Sequence, residues 1–367
     1  MIKTRKILIS FILFTIIANQ LFAQNELKKY LYVAEPGIRN YLEYGGHGIL
    51  VYDIENNYKL VKRILTGSYD AKNHPVNVKG VAVSLATQCI YVSTVKSLMC
   101  IDLNTEKLIW EVILPNGFDR MSISPDGLTI FQPSFEKEQW YVIDAKTGKV
   151  KEEVLVNSKA HNTIFGANGK EVYLEGLASP NLTIVNPKNT KKQRIVGPFS
   201  APIRPFTVNG KQSLIYANVN SLLGFEIGDL KTGKVLHQVK VPGFEQGFIK
   251  RHGCPSHGIG LTPDEKELWV ADGANQRMQI FDNTKMPPVY NSDIQLRDQP
   301  GWITFSLDGK FAWPSTGEII DVASRKIIKS LSDENGGIVQ SEKVIEIHFQ
   351  NGKVVAKGDQ FGLGRVK

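Results

Sequence analysis

One short word, a β-run closing on an acid or amide, recurs seven times and constrains the fold more than any other feature. It reads LVYD to Asp53, MCID to Asp102, YVID to Asp144, TIVN to Asn186, FEIGD to Asp229, QIFD to Asp282 and EIID to Asp321. Neighbouring copies stand from 39 residues (Asp282 to Asp321) to 53 residues (Asp229 to Asp282) apart. A unit of about forty residues with four short strands is one propeller blade, and blades bury their apolar faces only by stacking on neighbours. The repeat therefore predicts an all-β chain: a seven-bladed β-propeller of four-stranded antiparallel blades.

A second marker lies half a blade away. Ser124-Pro125-Asp126-Gly127, Asn168-Gly169, Asn209-Gly210, Thr262-Pro263-Asp264 and Asp308-Gly309 separate β-runs and supply the residues tight hairpins need. They join the innermost strand of a blade to its second strand. Blade one lacks an innermost strand, because YLYVAEP, HGILVYDI and KLVKRI account only for strands two to four. The spare C-terminal run KVIEIHF is expected to fill that place, closing the first blade and removing a sheet edge.

The N-terminus reads as a processing signal. Lys3, Arg5 and Lys6 precede an apolar run from Ile7 to Ala18, and Leu21-Phe22-Ala23 offers a cleavage point before Gln24. The run is short for a bilayer span. The expected division is a signal peptide over 1–23 and a single propeller domain over 24–367, exported to the periplasm or cell surface, with no transmembrane segment after cleavage. Net charge is +8, of which the leader supplies three. No Lys/Arg block with interleaved aromatics occurs, which argues against nucleic-acid binding. Cys89, Cys100 and Cys254 have no metal-ligand pairing, and the turn near Val95-Lys96 sets the first two diagonal to each other. They are expected to be free buried thiols.

Propeller topology converts these positions into locations. The segments leading into the inner strands gather around the axis on one face, and in order they carry Lys79, Arg120, His161, Arg204, His257 and Trp302. Packing alone would favour small or apolar residues there. Like charges around one axis are relieved by an anionic ligand or by carboxylate partners. Loops on the same face add His47 behind Gly45-Gly46, His252, Asp272, Asn275, Arg277 and Glu175.

Three chemistries fit. The first is general acid/base work, with His47, His161 and His257 as catalytic candidates and Lys79, Arg120, Arg204, His252, Asp272 and Trp302 as substrate-binding candidates. In a uronate lyase a cation neutralises the substrate carboxylate and a base removes the acidified proton. The second is a metal held by a subset of His47, His161, His252 and His257, although no local metal motif exists. No cofactor motif is present; a divalent cation on the propeller axis is compatible with the histidines. The third is binding of an anionic glycan, another acidic small ligand or an exported partner protein without turnover. No GxSxG elbow, phosphate-binding glycine loop or HExxH helix is present. The expected state is a monomer.

LWVADGANQRMQIFD and LTPDEKELWV resemble the YVTN and lactonase-like family of secreted bacterial β-propellers, over nearly the whole mature chain. That resemblance implies the fold, and a family that includes lactonases, carbohydrate-active enzymes and non-catalytic propellers. YGGHGILVYD is similar to the blade-one region of Bacteroidetes propellers acting on rhamnose linked to glucuronic acid, as glycosidases or lyases. The resemblance implies a role for His47 in glycosidase chemistry, and lyase relatives match Arg120, Arg204, His161 and His257 by location. The expectation is an exported lyase or glycosidase acting on a uronic-acid-containing glycan; the alternative is a YVTN-type binding propeller.

Overall fold

The computed structural model describes residues 26–366. The expected signal peptide over 1–23 lies outside them. Among the described residues, no helix is long and apolar enough to cross a membrane.

Seven antiparallel sheets follow one another around an axis. Six are four-stranded and run in simple chain order. Blade two begins at Val78, blade three at Ser122, blade four at Ala160, blade five at Ile203, blade six at Ser256 and blade seven at Ile303. Blade one is composite. Its second to fourth strands are Lys28–Glu35, Gly48–Asp53 and Lys59–Ile64, and its inner strand is Val344–Gln350 from the other end of the chain. A fifth strand, Lys353–Lys357, continues the C-terminal run as a hairpin.

The seven-fold word has a local cause. Each copy is the third strand of a blade, and its terminal side chain accepts backbone N–H groups from the turn that follows. Asp102 Oδ1 accepts from Asn104 and Thr105, Asp144 Oδ1 from Lys146 and Thr147, and Asp229 Oδ1 from Lys231 and Thr232. An Asx turn of this kind fixes the hairpin into the outer strand.

Alternation along the strands then builds the core between blades. Among the described residues it falls into seven apolar clusters, one per blade interface. Tyr91 faces blade three while its neighbour Val92 faces blade one. Trp140, Trp269 and Trp313 are buried at three different interfaces. Burial of an aliphatic or phenyl side chain contributes about 1.5–3 kcal/mol, and these larger indoles bury more apolar surface still. Cys89, Cys100 and Cys254 are free and buried, with Cys100 opposite Tyr91 and Cys89 opposite Asp102.

The last residues do not trail into solvent. Gln360 accepts the Val81 N–H (3.0 Å) and donates to the Met121 carbonyl (2.9 Å). The Gly362 carbonyl accepts from Leu261 and Thr207, and the Gly364 N–H donates to Val208. The tail thus ties together the inner strands of separate blades and plugs the axis.

Candidate functional site

The inner strands pair irregularly where they begin, and that irregularity positions the polar residues. Pairing with the second strand shifts between Val78 and Gly80, Ala160 and Asn162, Ile203 and Phe206, and Ser256 and Ile259. The residues left out of register are Lys79, His161, Arg204 with Pro205, and His257 with Gly258. A bulge breaks the alternation of a strand and re-aims the extra side chain. Lys79, His161 and His257 accordingly line a cavity of about 210 Å³ at the mouth of the axis, together with Arg120, His252, Glu342 and Lys343.

Two carboxylates organise this cup. Asp119, buried, accepts a hydrogen bond from His161 Nδ1 at 2.7 Å through Oδ2, and the Lys79 ammonium stands 3.2 Å from Oδ1. Burial opposes ionisation of Asp119, but His161 and Lys79 outweigh it and hold the carboxyl below its ordinary range. The bond to Asp119 leaves His161 Nε2 without a partner among the described residues.

Glu342 is the second. Its Oε2 accepts from Arg120 Nη2 (3.1 Å) and Lys343 Nζ (2.8 Å), and its Oε1 lies 3.2 Å from His252 Nδ1. Burial again opposes its charge; Lys343 first, then His252 and His257 in their protonated forms and Arg120, hold the carboxyl well below its usual value. Burial lowers Arg120 to about 10, so the guanidinium stays charged at neutral pH, and it lowers Lys343 to about 7 against the pull of Glu342. Burial also depresses His252 and His257, which favours neutral imidazoles. The His257 Nδ1–H donates to the Gly301 carbonyl at 2.7 Å.

The cup has a floor. The Arg120 guanidinium lies 3.3 Å from the centroid of the Trp302 ring, and the Trp302 indole N–H donates to the Gln360 carbonyl of the C-terminal tail. Arg120 therefore combines an ion pair with a cation–π contact in a desolvated position.

The remaining sequence candidates lie elsewhere or act differently. Trp302 is buried beneath Arg120 rather than lining the cavity. Arg204 donates to Asn220 Oδ1 (2.7 Å) and to the Gly253 carbonyl (3.2 Å), tethering the loop that carries His252. Asp272 is buried in blade six, where it accepts from Asn275 and Gln279 and fixes its own loop. His47 follows Gly45 and Gly46, both at positive φ, but its Nε2 meets the Tyr69 hydroxyl at 2.9 Å and it does not line the cup. Glu175 is buried on Asn162, where burial raises its pKa.

Asp119, Glu342, Lys343, Arg39 and Arg251 join the site without having stood out in the sequence. Glu342 and Lys343 immediately precede the C-terminal inner strand, so the closure of blade one was itself the signal for a seventh mouth position. Arg251 reaches Gln340 Oε1 (2.6 Å) and Tyr44 Oη, and its carbonyl accepts from Arg39. These bonds strap the loop before blade six across to blade one.

A comparison with protein-family models finds no match, and none of the curated proteins matches by sequence. Solved structures do match in fold. Hydrazine synthase of Kuenenia stuttgartiensis aligns over 77% of this chain and 88% of its own, with a TM-score of 0.59 and 15% identity. Dihydro-heme d1 dehydrogenase NirN in complex with DHE aligns over 90% and 72%, at TM-score 0.61 and 11% identity. The β-propeller domain of Myceliophteria thermophila Cps50 (Swd1) aligns over 76% and 94%, at 0.57 and 13%. Likeness at such identities establishes the propeller fold, which serves enzymes and other propellers alike.

Proposed function

We propose that this chain is an exported carbohydrate-active enzyme that cleaves a uronic-acid-containing glycan by β-elimination, with His161 as the base. The observation that carries the reading is the His161–Asp119 pair. Asp119 holds the Nδ1–H, so the lone pair on Nε2 is the one presented to the cup. A histidine oriented by a buried carboxylate is a common form of general base, because the carboxylate fixes the tautomer and stabilises the imidazolium that forms.

The surroundings suit a carboxylate substrate. Arg39, Lys79, Arg120, Arg251 and Lys343 line the cup against two lining carboxylates, Glu136 and Glu342. A uronate carboxylate near Lys79 and Arg120 has its charge neutralised, which acidifies the hydrogen on the adjacent carbon. His161 Nε2 takes that proton. The electron pair left on carbon forms the new double bond as the C–O bond at the neighbouring position breaks, and the departing oxygen keeps that bond's electrons and takes a proton from water. Proton transfer of this kind contributes about 10²–10⁴-fold to rate. The lyase reading is favoured over a glycosidase centred on His47, because His47 is engaged with Tyr69 outside the cup.

Rhamnogalacturonan, arabinogalactan and ulvan-type glycans test this. Elimination registers as ultraviolet absorbance of the unsaturated uronate, and hydrolysis as free rhamnose. The expected result is absorbance on at least one glycan, lowered about 10²-fold or more by His161→Ala and by Asp119→Asn. Turnover that survives His161→Ala overturns the assignment of the base. Tight calorimetric binding without absorbance or rhamnose across the panel assigns the protein to the binding propellers instead.

A further inference from the structure

The cup holds a second set of donors that the elimination chemistry does not use. His252 comes from the loop before blade six, His257 from the first bulge of blade six, and Glu342 from the approach to the inner strand of blade one. We infer that His252, His257 and Glu342 form a binding site for a divalent first-row transition metal of the zinc class.

The donor set defines the class. Two imidazoles with one carboxylate suit zinc and its neighbours, whereas magnesium and calcium take oxygen ligands. One donor atom from each residue lies within 4.8 Å of the other two. Zinc–ligand bonds of about 2.0–2.1 Å place tetrahedral donors about 3.3 Å apart. His252 Nδ1 and Glu342 Oε1, at 3.2 Å, already stand at that separation. His257 completes the set within the 4.8 Å that spans one donor atom of each residue.

Supporting contacts orient each ligand. His257 donates its Nδ1–H to the Gly301 carbonyl, which fixes the tautomer with the lone pair on Nε2, as metal-binding histidines do. Arg120 and Lys343 occupy Glu342 Oε2, leaving Oε1 for the histidines and an ion. His252 is buried, which holds its ring in place with Nδ1 towards Glu342 Oε1. Gly301 keeps the space open. A Cβ there would stand 2.4 Å from His252 Nε2 and 2.5 Å from Glu342 Oε1. Three protein ligands leave at least one coordination position facing the cup, the pattern of reactive rather than structural zinc sites.

The inference is independent of His161 and of any glycan, so its test reads metal directly. Protein stripped with EDTA and dialysed against zinc should bind one equivalent per chain by elemental analysis. His252→Ala and His257→Ala should each weaken zinc binding about 100-fold, while His74→Ala, an exposed histidine paired with Asp70, should not change it. Cobalt(II) titration of the unaltered protein, followed by paramagnetic shifts of imidazole signals, guards against variants that fail to fold. Two shifted imidazoles are expected. Binding of less than about a tenth of an equivalent, zinc retained by a folded His252→Ala/His257→Ala double variant, or fewer than two shifted imidazoles overturns the site.

Discussion

The two ends of the central channel are built from the same seven inner strands, yet they differ in every respect that matters for function. At the mouth, bulges throw Lys79, His161 and His257 out of register and into a cup with Arg120, Glu342 and Lys343. At the far end the strands pair regularly. Val81, Val83, Ile123, Ile345 and Phe165 there line an apolar recess of about 270 Å³, covered by Phe361 and Leu363 of the C-terminal tail. Burying charges is costly even when they are paired, whereas burying apolar surface is favourable. Labour is divided between the two ends: the far end and the blade interfaces supply the stability that allows the mouth to keep its buried ions.

Truncation gives the largest test of that division. A chain ending before Val344 loses the inner strand of blade one, leaving Lys28–Glu35 as an open edge and removing Ile345, Ile347 and Val354 from the first interface. It should show no cooperative thermal transition. A chain ending at Lys357 keeps all seven blades and loses only the plug. Its melting temperature should fall by roughly 5–15 °C, from lost burial of Phe361 and lost hydrogen bonds of Gln360. Equal melting temperatures for the full chain and the chain ending at Lys357 would show that the plug at the far end contributes nothing.

The mouth should respond in the opposite way, through charge. Glu342→Ala leaves Arg120 and Lys343 buried without their shared carboxylate, and the expected loss is about 3–5 kcal/mol in denaturant unfolding with a chelator present. A loss under about 1 kcal/mol would place these ions in solvent-like surroundings. Pairing Glu342→Leu with Arg120→Met should recover part of the loss.

What was legible in the sequence follows the same boundary. The blade count was readable because each third strand ends in a side chain that makes its own turn; Asp102, Asp144 and Asp229 act within a few residues of themselves. Blade closure was readable because KVIEIHF alternates like a strand and had no partner of its own. The bulges were not. Nothing at Lys79 or His161 marks a shift in pairing, since a bulge belongs to two strands rather than one. The glycines before His47 do take left-handed backbone, but Tyr69, distant in sequence, decides where the ring goes. Asp119 and Glu342 were not legible either. A carboxylate next to a cation in the chain looks like any solvated pair, and only burial makes these two the organisers of a cup. The tail GDQFGLG reads as loop composition, and only its contacts with several blades make it ordered structure.

Lys357 gives the smallest and most specific test of the contrast, because it sets one cation in the apolar end. Burial lowers its pKa to about 8, and Asp359 only partly offsets this. An unfolded chain holds its lysines near about 10.4. Below about pH 8 both states carry the proton, and the folded state bears the cost of a charge beside apolar walls. Between about pH 8 and 10.4 the folded protein has released a proton that the unfolded chain keeps, so stability rises with pH over that window. Lys357→Met removes the titrating group while keeping its length. The variant should melt above the native protein at about pH 7, and the difference should shrink steadily as pH rises through about 8 towards 10. A difference that is constant with pH would mean that the ammonium reaches water, and that the far end is less dry than its lining residues imply.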